Sequence, residues 1–189
     1  VTTRPANASR GPIPTGREEV AAAVLQAAAD LFAERGPAAT SIRDIAARSK
    51  VNHGLVFRHF GTKEQLVRAV LDHLGAELTT LLHSDAESEV VDRAMDRQMR
   101  VWARALLDGY SAEQLKTRFP NVVPLLDYAR TRHDKDSDAR LAVANALALR
   151  LGWRLFEPML RSATGLEELT DADLRQAVID EATRLIEPH

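Results

Sequence analysis

The sequence predicts an all-α chain in two parts: a small N-terminal three-helix unit containing a helix-turn-helix, and a larger helical body. Three observations carry this expectation. Apolar residues recur at three- and four-residue spacings almost throughout, and no segment alternates with period two. Ser, Thr, Asn and Asp stand where these stripes begin, and Gly or Pro where they end. Finally, Thr40 to Leu66 fits two short amphipathic segments and the start of a third into twenty-seven residues.

Taken in order, residues 1–14 hold Pro5, Gly11, Pro12 and Pro14 among small polar residues and read as a flexible tail. Arg4 and Arg10 could make this tail a basic arm, but a plain leader is the preferred reading. Thr15-Gly16-Arg17-Glu18 reads as a capping box for a helix whose stripe is Val20, Val24, Ala28, Leu31 and Phe32. Gly36-Pro37 stops it. Thr40 or Ser41 caps the next helix, with Ile42, Ile45 and Ala46 on one face. Val51 marks a turn, and Asn52 caps a short helix from His53 to Phe60. Val56 and Phe60, four apart, point inward and leave His53, Leu55, Phe57, Arg58 and His59 outward. Thr62-Lys63-Glu64-Gln65 is a capping box opening a helix to about residue 82, with Leu66, Val67, Val70, Leu71, Leu74 and Leu78 on its stripe. This helix joins the head to the body. The expected domains are therefore 15–66 for the head and 67–189 for the body.

In the body, Val91, Met95, Met99 (or Gln98), Trp102 and Leu106 form a stripe ending at Gly109. A short helix is expected near 111–116, and another from Phe119-Pro120-Asn121 to about Arg132, with Pro124 tolerated in its first turn. His133, Asp134, Asp136 and Asp138 have neither the spacing of a helical His pair nor that of a calcium loop, and read as a polar break with acids at the next helix's positive end. No metal and no cofactor are expected. The helix from about 138 to 162 is apolar on two sides: Leu141, Ala144, Ala148, Leu151 and Leu155 on one, Ala142, Ala146, Leu149, Trp153, Phe156 and Leu160 on the other. Gly152 permits close approach, and Pro158 is expected to kink the C-terminal end. Thr170 or Asp171 caps a last helix bearing Leu174, Val178 and Leu185.

Composition narrows the function. There is no cysteine, hence neither disulfide nor thiolate metal site. No apolar run approaches the roughly 20 residues of a membrane span, and the first residues lack the apolar core of a signal peptide, so a cytoplasmic protein is expected. No nucleophile elbow or Gly-rich phosphate loop is present, and no enzymatic activity is expected. The net charge of −2 is unevenly placed: residues 1–68 carry ten Lys/Arg against six Asp/Glu, while residues 69–189 carry fifteen against twenty-one. Between Ile45 and Lys63 there is no acid, but there are Arg48, Lys50, Arg58 and Lys63 itself. A solvent-facing helix free of carboxylates suits a polyphosphate surface.

The same run resembles the DNA-binding domain of TetR-family transcriptional regulators. Thr40 to Ala46 is similar to the first helix of the family's motif, Val51 to Phe60 to its recognition segment, and Thr62 to Leu66 to the start of its fourth helix. Val24 to Ala28 and Leu31 to Gly36 resemble its first helix. The resemblance implies DNA contacts from Arg43, Asn52, His53, Gly54, Leu55, Phe57, Arg58, His59, Thr62 and Lys63. His59 stands at a phosphate-contacting position, Gly54 allows close backbone approach, and Lys63 adds a charge to the free amides of a helix N-terminus. Three positions depart from the family's usual pattern: Lys50 where Gly is common in the turn, Leu55 in place of Thr or Ser, and Phe57 in place of Tyr.

The resemblance also implies a homodimer and a small-molecule effector, partly apolar, held in the body. The expected dimer interface is Ala144, Ala148, Leu151, Leu155, Leu174, Val178 and Leu185; the expected ligand pocket is Gln98, Trp102, Leu106, Tyr110, Phe119, Val122, Leu126, Trp153 and Phe156. The expected function is a DNA-binding regulator, a repressor released from a palindromic double-stranded operator by its effector. The alternatives are an activator or protein-sensing regulator of the same fold, or a helical ligand-binding protein without DNA function.

Overall fold

A computed structural model describes residues 16–115 and 122–187. The tail expected over 1–14, the cap at Thr15, Phe119 and the expected start of the helix at 119–121 lie outside the described residues. Within them the chain is all α, with helices α1 (Arg17–Arg35), α2 (Ile42–Ser49), α3 (His53–Phe60), α4 (Lys63–Leu82), α5 (Ser88–Leu107), α6 (Ala112–Leu115), α7 (Val123–Arg130), α8 (Asp136–Thr164) and α9 (Asp171–Ile186).

The head is set by local hydrogen bonds. Gly16 holds the N-cap position of α1, where its N–H donates to Glu19 at 3.5 Å. Ser41, not Thr40, caps α2: Ser41 Oγ accepts from Asp44 N at 3.1 Å, and Asp44 Oδ2 accepts from Ser41 N at 2.9 Å. Thr40 is buried instead, its hydroxyl donating to Gly36 O at 2.8 Å. Asn52 caps α3 by accepting from Gly54 N at 2.8 Å. Thr62 and Gln65 close the expected capping box of α4.

Lys50 ends α2 in the left-handed conformation (φ 58°, ψ 28°), the position where the usual glycine is missing. A side chain there costs about 1–2 kcal/mol; glycine removes that but adds roughly 0.4–1 kcal/mol of unfolded-state entropy. Lys50→Gly is therefore expected to stabilise by about 0.5 kcal/mol in urea unfolding, and Lys50→Val to destabilise, because a β-branched residue is strained there. A Gly variant less stable than the Val variant would refute the assignment.

The apolar core does not divide at residue 66. One buried cluster joins Val24, Phe32, Ile45, Val56 and Leu66 of the head to Val70, Leu71 and Leu74 of α4, Val101, Trp102 and Ala105 of α5, and Leu115 of α6. A second cluster holds Ala129 of α7, Ala139, Val143 and Ala146 of α8, and Ala182 and Ile186 of α9. Burying α5 against both α1 and α4 thus makes it part of the head's support. Polar contacts reinforce this seam: Arg97 pairs with Asp30 at 2.7 Å, Arg104 Nε donates to Ala33 O at 3.1 Å, and Asp108 Oδ2 accepts from Ala38 N at 2.6 Å. Among the described residues no helix is long and apolar enough to cross a membrane.

Candidate nucleic-acid interface

Helix α3 is held by its inward residues and displays the rest. Val56 is buried and Phe60 packs on the first core, while His53, Gly54, Leu55, Phe57 and Arg58 are exposed and His59 is half-buried. Phe57 is 64% exposed, a large apolar side chain left mostly uncovered by its own chain. Arg43 stands exposed near the start of α2, and Asn52 and Thr62 are exposed at the caps of α3 and α4. Lys63, in the first turn of α4, is half-buried, with Nζ 3.5 Å from Ala38 O. The ten expected DNA-contacting residues thus lie on α3 and on the helix ends that flank it.

Electrostatics sorts the cations of this surface. Arg48 forms two hydrogen bonds to Glu34, at 2.6 and 3.3 Å, and holds that carboxyl below its usual range. Its charge is largely spent. Asp44 is turned away by the Ser41 amide and hydroxyl and by Arg35 at 2.8 Å, which together lower its pKa and keep it ionised within the α2 cap. Arg43, Lys50 and Arg58 have no ion-pair partner among the described residues. These cations, with Lys63, remain for a polyanion. The Glu34–Arg48 pair, fourteen positions apart, left no signal in the sequence.

A model of bacterial regulatory proteins of the tetR family matches residues 24–70, the segment that builds α2, α3 and their supports. Over the full length, the chain is 70% identical to an HTH-type transcriptional repressor of Mycobacterium tuberculosis (strain ATCC 25618 / H37Rv), covering 100% of both chains. This chain belongs to the TetR family. The regulator is also 48% identical over 48 residues to the HTH-type transcriptional repressor KstR2 of Mycolicibacterium smegmatis, a match spanning 25% of this chain and 23% of that one. A solved TetR-family structure from Vibrio parahaemolyticus shares the fold at a TM-score of 0.53 and 19% identity, covering 90% of this chain and 100% of the other. The expected fold and family are borne out: this TetR-family protein is a DNA-binding transcriptional regulator.

The residues expected to form a ligand pocket are not brought together. Gln98 and Trp102 are buried, Trp102 within the first core; Tyr110 packs at the edge of that core, and Leu106 is 49% exposed. Val122 and Leu126 pack on the second core. Trp153 lines a separate cleft between α5, α8 and α9, and Phe156 is 54% exposed. The pocket expected between Trp102 and Trp153 is thereby corrected. On α5 the first core takes Val101, Trp102 and Ala105, with Met99 beside them, while Asp92 and Asp96 pair with Arg154 of α8.

The dimer residues divide as well. Ala144 and Ala148 are exposed, and Leu151 and Leu155 half-buried, on the outer side of α8. Leu174 is only 6% exposed and Leu185 packs on the second core, while Val178 lines the open cleft. Pro158 lies inside α8, which continues to Thr164.

Proposed function

We propose that this regulator is a homodimeric repressor that docks α3 of each copy in successive major grooves of a palindromic operator and is released by a small molecule bound in its body. One observation carries the DNA reading: α3 carries no acid and presents Arg58 and a mostly exposed Phe57, with Arg43 and Lys50, which have no ion-pair partner among the described residues, on its flanks. Paired heads about 34 Å apart meet half-sites one helical turn apart. The relative from M. tuberculosis, named a repressor, supports repression over activation.

The outer face of α8 supports a second copy. Leu141, Ala144, Asn145, Ala148, Leu151, Gly152, Leu155, Phe156 and Met159 share one side of the helix, and none is charged. A Cβ on Gly152 would meet no atom of its own chain within 4 Å, so the close approach it permits is available to another chain. Antiparallel packing of two such faces, flanked by α9, makes a four-helix interface.

Two measurements test this reading. Phe57→Ala is expected to weaken binding to an operator selected from a randomised duplex library by about tenfold, on the order of 1.4 kcal/mol, with stability changed by less than about 0.5 kcal/mol. Unchanged affinity would remove Phe57 from the interface. Ala148→Glu, at a position exposed in the single chain, is expected to give folded monomers by light scattering that bind a half-site far better than they discriminate the full palindrome. A monomeric wild-type protein overturns the dimer and the palindrome together.

A further inference from the structure

We propose that the cleft between α5, α8 and α9 binds an amphipathic organic anion, with its charged group on Arg150 and its apolar body along Trp153, Leu174 and Val178. The inference names an effector class for the repressor reading and rests on it for its regulatory consequence.

The cleft has a volume of about 290 Å³, near the lower edge of the roughly 300–1,000 Å³ typical of small-molecule sites. Its carboxylates are engaged. Asp92 lies 2.7 Å from Arg154 and 3.1 Å from Arg175, and Asp96 also pairs with Arg154. Glu157 and Asp171 both pair with Arg161, at 2.8 and 3.0 Å. Three arginines are therefore committed to these four acids by direct ion pairs, and Asp92 acts on Arg150 only through its field.

Arg150, one turn before Arg154, is half-buried in the cleft wall and has no hydrogen bond or ion pair among the described residues. Burial, and then the positive charge of Arg154, push its pKa down against the smaller opposing pull of Asp92. Arginine does not relieve this by losing its proton. Its planar fork of donors matches a carboxylate or sulfonate bidentately. Trp153 and the inward α9 residues Leu174 and Val178 supply an apolar wall beside it.

The position also reaches the head. Asp92 and Asp96 hold α5 to Arg154 of α8, next to Arg150, while Arg97, Arg104 and Asp108 hold the same helix to α1 and the loop after it. Ala38 in that loop contacts both Asp108 and Lys63. An anion that draws Arg150 and Arg154 toward itself loosens the α5–α8 bridge and acts on the DNA-binding surface through α5.

Calorimetry of the full chain with 2-naphthoate and its neutral isostere 2-naphthamide tests this, using wild type, Arg150→Met and Arg150→Lys. Wild type is expected to bind naphthoate at least tenfold more tightly than the amide. Arg150→Met should erase that preference, and Arg150→Lys should keep part of it. The Tm of Arg150→Met is expected to equal or exceed that of wild type, because the cation it removes has no partner. Equal affinities in wild type, no binding of either compound, a preference that survives Arg150→Met, or a large fall in Tm would each overturn the site. Operator release, followed by anisotropy in the same samples, separates the two readings. Arg150-dependent binding without release supports the site and sinks the effector role; release that ignores Arg150 sinks the site alone.

Discussion

Operator affinity of the wild-type dimer is expected to fall roughly 10³-fold between 50 and 200 mM salt, since about six phosphate contacts lower log K by about 0.9 each per decade of salt. The six proposed are Arg43, Arg58 and Lys63 from each copy, with Lys50 counted only as general positive charge. Arg48 does not count, because Glu34 holds it at 2.6 Å. This pairing makes the prediction specific. Arg58→Ala should reduce the slope by about 1.8 per dimer, at about 0.9 for each phosphate, whereas Arg48→Ala should leave it nearly unchanged. Glu34→Gln, which frees Arg48, should tighten binding and steepen the slope. If Arg48→Ala lowers the slope as much as Arg58→Ala, the Glu34 pair does not persist on DNA and the sorting of cations is wrong. An affinity indifferent to salt would contradict the interface as a whole.

Gly61→Ala is expected to cost about 2–4 kcal/mol in chemical unfolding, combining backbone strain of about 1–3 with the loss of a helix cap worth about 1. Gly61 joins α3 to α4 with φ 68° and ψ −124°, a conformation open to glycine. A Cβ there would fall 2.0 Å from Gln65 Oε1, the atom that accepts from Thr62 N at 2.8 Å. The substitution therefore attacks the junction and the cap together. Because His59 and Lys63 lie on either side, operator binding should fall further than Arg58→Ala alone lowers it. Gln65→Ala isolates the cap and should cost only about 1 kcal/mol. The double variant should recover the clash but not the strain. A Gly61→Ala protein within about 0.5 kcal/mol of wild type, the range of an ordinary surface change, would show that neither constraint holds.

What could be read from the sequence was what neighbouring residues decide. The caps at Asn52 and Thr62, the inward Val56 and the outward Phe57 all follow from interactions two to five positions apart. The same holds for the long α8 with two apolar sides. The ten residues proposed to meet DNA lie within one such local run, and it was the resemblance of that run to the family's motif that named them.

Tertiary structure alone decided which surfaces cover which. An apolar stripe announces that it needs a partner but not what the partner is: Leu174 of α9 is buried within its own chain and Val178 lines the cleft, while Ala144 and Ala148 of α8 stay exposed. Trp102 and Trp153, alike in sequence context, went to a core and to a cleft. The Arg154 bridge to Asp92 and Asp96 spans 62 and 58 positions, and Arg150 stands out only once that bridge is seen to leave it aside. Caps and turns are fixed by hydrogen bonds within a few residues, and so are written in the order of the sequence. Ion pairs across helices and the choice between core and cleft depend on the path of the whole chain, because burial is non-directional and any apolar face can satisfy any other.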